Sequence, residues 1–366
     1  MAASGQPTAP RVAVVLQGEA TDPHSWSGVP GGLYAGLAAA GAEAVAVDAR
    51  APGASRLAGL LGRSWAQQAA SPALAAASGA WASAALRRRD LDGVVAIGSG
   101  YRLRTALPLV TFEDETVAQA LRQQPSPLAE LSERAAGRWR QRQRRIYLGA
   151  RGCCTASDWA ASSIREDYGI DPAKVHVVGF GRNFDPLPAE RDWSSPRFIF
   201  LGVDWERKRG PAVLEAFAAV RERHPGASLD VVGVHPPLDA AGVSGHGRLS
   251  LRSPPQRAQL TELLARATCL VLPSTFEAYG IAYLDAGAAG VPSIGTTVGG
   301  AADAVGDGGL LVSPDDQPAL VAAMLELSDP ATAQRLGERA RAHATPQTWR
   351  AVAERVLRAL GLSGLS

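Results

Sequence analysis

Short apolar runs of strand length alternate with helical segments along almost the whole chain, and that alternation limits the folds open to it. Arg11–Leu16, Glu43–Val47, Asp92–Ile97, Pro108–Phe112, Gly152–Ala156 and Lys174–Val178 read as strands in the first half. Phe198–Gly202, Ser228–Gly233, Cys269–Leu272, Pro292–Gly295 and Leu310–Val312 read as strands in the second. Runs apolar on both faces need helices above and below them, so the expected class is α/β with two parallel, doubly wound sheets. The stretch from Gly179 to Pro196 is rich in Pro, Gly and charge and has neither period, which marks an inter-domain linker. The expected division is 1–185, 186–345 and a closing segment 346–366.

Bulk properties narrow the function classes. With 366 residues, each half is large enough to bury its own core. No apolar run approaches the length of a membrane span, and Met1 to Pro10 lacks the pattern of a secretory leader. Cys153, Cys154 and Cys269 offer no disulfide framework or metal spacing, and all fall in expected strands. Buried thiols in a reducing cytosol are the consistent reading. A net charge of +2 points to no particular partner.

The stretch from Pro273 to Asp316 carries the most chemistry. An apolar strand leads into a polar turn with Glu277, and an Ala-rich helical segment then places Asp285 eight positions on. Two carboxylates therefore sit at the carboxyl end of a strand and the start of a helix, where open α/β sheets bind ligands. The segment resembles the donor-site signature of family-4 retaining glycosyltransferases: an acid, seven residues, a second acid, and a G-F-G-like turn. Glu277 and Asp285 fill the acid places and Tyr279-Gly280-Ile281 the turn. Asp285 stands where the family has Glu and shortens that arm by one methylene.

A second cluster follows an earlier strand. Phe198 to Gly210 reads F-I-F-L-G-V-D-W-E-R-K-R-G, with Arg207 and Lys208 in the turn before a helix. Two cations beside a helix N-terminus suit a diphosphate, and fixed cations favour a transition state in which leaving-group charge grows. The resembling family has an R-K-G diphosphate element here. This chain inserts Arg209 before the glycine and has Val203 where many members place another Arg. A solvated basic turn is the plainer alternative.

In the first half, Gly28, Gly31 and Gly32 precede a helix expected to run to Ala40 and would let backbone N–H groups approach a phosphate. The spacing is not a dinucleotide fingerprint, although Asp48 ends the next strand. The W-S-G-x-P run resembles a first loop that faces the donor phosphates in a subset of bacterial family-4 enzymes; His24 reads as a solvated loop residue. Glu113, Asp114 and Glu115 follow a strand where many members have a His. Asp114 is the residue expected to bond a sugar hydroxyl, against a first-turn acid cluster that complements a helix dipole. Arg134 to Arg151 is basic and helical in pattern. A solvated face is its plain reading; some relatives dock on membranes through such helices and hold lipid-linked acceptors. It lacks the aromatic interleaving of a nucleic-acid surface.

The resemblance implies a GT-B fold, two Rossmann-like doubly wound domains facing across a cleft, with a C-terminal helix crossing back onto the first. That helix is expected from Pro346 to Leu360, with Thr345 as N-cap. The implied enzyme is a cytoplasmic, metal-independent hexosyltransferase, peripheral to the inner membrane face if 134–151 docks there. It would move a sugar from a nucleotide diphosphate sugar to an acceptor with retention; no far-face nucleophile is assignable, which leaves a front-face mechanism as the default expectation. The acceptor class stays open among small molecule, glycan and lipid-linked. Arg207 and Lys208 would hold the diphosphate, Tyr279 to Ile281 would assist through their N–H groups, Glu277 would bind sugar hydroxyls or steady developing positive charge at the anomeric carbon, and Asp285 would take the ribose diol. No cofactor is implied. Two rivals stand beside this: a sugar-nucleotide epimerase or hydrolase, and an inactive relative that binds nucleotides or a partner. Base, sugar, acceptor and oligomeric state are not written in the residues.

Overall fold

The computed structural model describes residues 9–20, 28–53, 64–187 and 190–362. His24, Trp26 and Ser27 lie outside the described residues. Two compact units emerge: Met1–Gly181 with Thr348–Ser366, and Arg182–Gln347. The chain thus changes unit four residues before the expected 185/186 step and returns two residues after the expected 345/346 step.

In the first unit the described elements run β1 (Arg11–Leu16), α1 (Val29–Ala39), β2 (Glu43–Asp48), α2 (Trp65–Ala70), α3 (Pro72–Arg87), β3 (Gly93–Ile97) and β4 (Leu109–Glu113). They continue with α4 (Val117–Arg122), α5 (Glu133–Gly149), β5 (Gly152–Thr155), α6 (Asp158–Glu166) and β6 (Val175–Val177). All strand pairings are parallel, in the order β2-β1-β3-β4-β5-β6. β3 is buried along its whole length, which explains its unbroken apolar sequence.

The second unit runs β7 (Arg197–Gly202), α7 (Gly210–Arg223), β8 (Ser228–Gly233), β9 (Val243–Gly247), α8 (Pro254–Arg266), β10 (Cys269–Val271) and α9 (Ile281–Ala288). It closes with β11 (Ser293–Thr296), α10 (Ala301–Val305), β12 (Gly309–Val312), α11 (Gln317–Glu326) and α12 (Pro330–Ala344). Its order is β12-β11-β10-β7-β8-β9, again parallel throughout. The chain winds outward from β7 to β9 and then restarts at β10 on the other side. That reversal makes the carboxyl ends of β7 and β10 the topological switch point. The same rule places a switch point at β1 and β3 in the first unit.

α13 (Trp349–Leu360) returns to the first unit and packs along α1. It buries Val352, Ala353, Val356, Leu357 and Leu360 on one face. Its start corrects the expectation: Thr348 is the N-cap and accepts from Ala351 N, while Thr345 ends α12. Pro346 therefore lies in the turn between the helices.

Further corrections have local causes. Gly31 and Gly32 do not precede α1 but lie inside it, and Gly28 caps it in the left-handed region at φ 84°. Gly32 has a packing role, since a Cβ there would lie 2.1 Å from the Trp349 indole. β9, V-S-G-H-G, reads as a loop because an edge strand with one neighbour needs no apolar run. Cys153, Cys154 and Cys269 are buried in β5 and β10, and burial pushes all three thiols up, Cys153 to about 11.

Candidate active site at the second-sheet switch point

The loops after β7 and β10 meet at the switch point of the second sheet. Thr275 N donates to Arg207 O at 2.8 Å, and the Thr275 hydroxyl to the same oxygen at 3.2 Å, which ties the loops together. Asp204 shapes the basic turn by accepting from Arg207 N at 3.1 Å and lying 3.4 Å from its Nε. The turn aims Arg207 Nη1 at Phe276 O, 2.8 Å away, and places it 3.5 Å from Glu277 Oε1. Lys208 Nζ is ion-paired with Glu277 Oε2, which also accepts from Ser274 Oγ at 3.2 Å.

Lys208 and Glu277 are nearly dry, 8% exposed each. Burial opposes ionisation of Glu277, but Lys208, Arg207 and Ser274 outweigh it and hold the carboxyl below its ordinary range. Burial also pulls the Lys208 ammonium down, against Glu277, which holds it up. Removing either partner would strand the other charge in a low-dielectric site.

Arg209 takes a different course. It is in the left-handed region at φ 62°, caps α7, and lines a separate concavity with Glu206, Glu215 and Gln317. Among the basic residues of this turn, Arg207 and Lys208 are the pair joined to Glu277.

The turn after Glu277 is equally constrained. Glu277 N and O bond Val298 O and Gly300 N, at 3.3 and 2.9 Å. Gly280 caps α9 at φ 93°, and a Cβ there would sit 2.5 Å from the Tyr283 ring and 3.0 Å from Glu277 Cγ. Only glycine serves both the conformation and the contact. Tyr279 is buried beside it and Ile281 opens α9.

Asp285 lies one helical turn further on, 7% exposed, and its oxygens accept from Asn183 N at 2.6 Å and Asn183 Nδ2 at 3.0 Å. Burial pushes its carboxyl up to about 6, although Asn183, Phe184 N and Arg257 pull the other way. Arg257 completes the seat by donating to Asn183 O at 3.1 Å and stacking over Phe184.

The first unit treats its acids differently. Glu113 ends β4 fully buried, with Oε1 lacking a hydrogen-bond partner among the described residues. Burial pushes it up to about 8, partly offset by Ser99 and Tyr147. Burial and Asp114 push Glu115 up to about 8 as well. Asp114 follows the strand, half-buried. α4 begins at Val117 with Thr116 as its cap, so none of the three acids sits in a first helical turn, which corrects that alternative. Asp48 is occupied by Gly18 N and by Arg50, whose Nη2 lies 2.6 Å away.

Sequence reasoning missed Asn183, Ser274 and Asp204. Ser274 and Asp204 had a weak signal, a short polar side chain three residues before Glu277 and Arg207 respectively. Asn183 had none. Among the described residues no cluster of His, Cys, Asp or Glu could hold a metal ion. Among them, no helix is long and apolar enough to cross a membrane.

Two doubly wound parallel sheets, the second with a cationic pair and a buried acid at its switch point, make this an α/β protein of the GT-B class. Residues 195–329 match the family model described as "Glycosyl transferases group 1", so the second unit carries that domain. The chain is 32% identical over 221 residues to a glycogen synthase of Mycobacterium tuberculosis, covering 55% of this chain and 51% of that protein. It is also 32% identical over 217 residues to a D-inositol 3-phosphate glycosyltransferase of Corynebacterium diphtheriae, covering 52% and 51%. The chain thus spans about half the length of these curated relatives. Among solved structures it resembles WaaG, a glycosyltransferase involved in lipopolysaccharide biosynthesis, with TM-score 0.67 and 19% identity over 96% of this chain and 100% of that one. A sucrose-phosphate synthase from Thermosynechococcus elongatus gives TM-score 0.68 and 18% identity over 97% and 100%. Anabaena HepE, solved with UDP and glucose, gives 0.62 and 14% over 96% and 99%. At these identities the structural likeness shows the fold.

Proposed function

We propose that this chain is a glycosyltransferase that moves a hexose from a nucleotide diphosphate sugar to an acceptor, with retention and without a metal ion. The observation that carries the reading is the buried Lys208–Glu277 pair with half-buried Arg207 beside it at the switch point, inside the segment that matches the glycosyl transferases group 1 model. Glycosyl relatives across half the chain and the UDP and glucose bound by HepE support the same substrate class.

In this reading the donor diphosphate lies against Arg207 and Lys208, with the N–H groups of Tyr279, Gly280 and Ile281 at the start of α9. Charge builds on the diphosphate as the glycosidic bond breaks, and cations fixed beforehand stabilise that state most. They supply the charge neutralisation that a metal would otherwise give. Glu277 holds Lys208 in place and presents an ionised carboxylate to sugar hydroxyls. Asp285 would take the ribose diol with the second lone pair of each oxygen, the first being used by Asn183. Asp114 would bond a sugar hydroxyl, and Gly28 would open the first-loop backbone to a phosphate. No nucleophile is assigned on the far sugar face, which favours front-face transfer with the leaving phosphate taking the acceptor proton. The protein would work in the cytoplasm. A lipid-linked acceptor would bring α5 to a membrane surface.

The test is thermal stabilisation by UDP, GDP, ADP, dTDP and NAD, in wild type and in the charge-neutral pair Lys208→Met/Glu277→Gln. One nucleoside diphosphate should raise the melting temperature of the wild type alone. A shift by NAD only, or by none of these compounds, would overturn the reading. Product stereochemistry by NMR then checks retention, which an inverted product would refute.

A further inference from the structure

The first unit holds a second concentration of cations away from the carboxyl edge of its sheet. The chain leaves β3 at Ile97 and returns to the opening edge at Leu109, so residues 102–108 descend to the amino ends of the strands. α5 ends at the same edge, and Arg151 N donates to Leu109 O at 2.7 Å just before β5. Arg102 and Arg104 from the descending segment, Arg145 from the last turns of α5, and Arg151 line one concavity of about 620 Å³ there. β4 separates it from Glu113 by about 13 Å of strand.

Three observations make this more than a solvated basic face. No Asp or Glu among the described residues lines the concavity. Among the described residues none of the four guanidinium groups has a hydrogen-bond or ion-pair partner, whereas Arg11, Arg50 and Arg122 of the same unit all hold carboxylates. The descending segment is also built in: Arg104 N donates to Ser83 Oγ at 2.8 Å, and a Cβ at Gly79 would lie 2.3 Å from Arg102 O. Leu103 and Ile146 are buried in its wall. Like charges gathered on a fixed scaffold repel one another, and the carbonyls at the end of α5 offset this only in part. A ligand with two or more negative charges would relieve the repulsion, and planar guanidinium forks match phosphate oxygens. The volume is within the range of small-ligand sites.

We propose that Arg102, Arg104, Arg145 and Arg151 form a phosphate-binding site in the first unit, separate from the donor chemistry of the second and taking a phosphorylated ligand. The site does not rest on the glycosyltransferase reading. Its ligand is either a free phosphorylated compound or the phosphate of a lipid headgroup.

The full chain should be titrated with inorganic pyrophosphate by calorimetry, as wild type, Arg104→Gln/Arg145→Gln and Lys208→Met/Glu277→Gln. The arginine residues are exposed, and circular dichroism verifies that the variants fold. Sedimentation with phosphatidylcholine vesicles, with and without phosphatidylglycerol, forms the second arm. The arginine variant should lose roughly tenfold or more in one of these affinities, about 1.4 kcal/mol, while the Lys208/Glu277 variant keeps it. Pyrophosphate binding without vesicle binding identifies a free ligand; phosphatidylglycerol-dependent sedimentation lost in the arginine variant identifies a headgroup. Binding absent from the wild type in both arms, or unchanged in the arginine variant, overturns the proposal. Loss only in the Lys208/Glu277 variant overturns it too and leaves the donor-site reading standing.

Discussion

The two sheets share a plan, yet Glu277 and Glu113, buried at their carboxyl edges, behave oppositely. In the second unit Glu277 is buried beside Lys208 and Arg207 and stays ionised. In the first unit Glu113 is buried with no cation beside it among the described residues and is pushed up to about 8. Burial alone therefore does not decide the state of a carboxyl. The difference lies in whether the neighbouring loop brings a cation. The β7 loop brings two; Ser99 and Tyr147, which face Glu113, bring only hydroxyls. One edge is built to meet negative charge, and the other keeps protons on Glu113 and Glu115 near neutrality.

The largest expected effect breaks the charged side of this contrast. Lys208→Ala leaves Glu277 buried and unpaired and should cost about 3–5 kcal/mol in urea denaturation. Lys208→Met/Glu277→Gln should recover most of it, since no charge is then stranded. Equal stability of the single and double variants would show that the pair is not coupled.

The next tests the protonated side. Glu113 has a folded value of about 8 against an ordinary 4.5, so its contribution is complete below about 4.5 and is lost as pH rises through about 8. The loss approaches about 1.4 kcal/mol per pH unit at most. Glu113→Gln should flatten melting temperature against pH in that window and be the more stable protein at its upper end. Parallel profiles would place Glu113 in an ionised state.

Asp285 is the intermediate case, buried like Glu113 but held by Asn183. Its value of about 6 against 3.8 places a smaller loss of stability between those pH values, absent in Asp285→Asn. The same pH series checks it. The smallest effect concerns the closing helix of the first unit: Thr348→Ala should cost about 1 kcal/mol as a lost N-cap, and Thr345→Ala less. The reverse order would restore the earlier helix start.

Particular elements show why some of this was legible in the sequence. β1, β3, β7 and β8 are runs buried on both sides, so composition and position coincide. Glu277, Arg207 and Lys208 stood out because each directly follows a strand–turn transition that periodicity marks. β9 was hidden because its pairing comes from β8 and not from its own side chains. The α13 start was hidden because Thr345-Pro346 and Thr348 both offer caps, and the path out of α12 chooses between them.

By itself the sequence determined the α/β class, the two sheets, the strand–turn–helix units and the residue types at their turns, because burial and local backbone preferences act over a few residues. Only the tertiary structure decided that Arg207 and Lys208 share Glu277 while Arg209 turns away, and that Asn183 occupies Asp285. It also gathered the arginine residues of three separate segments into one concavity. Those relations join residues tens of positions apart, and their strength depends on distance and burial, which no local pattern encodes.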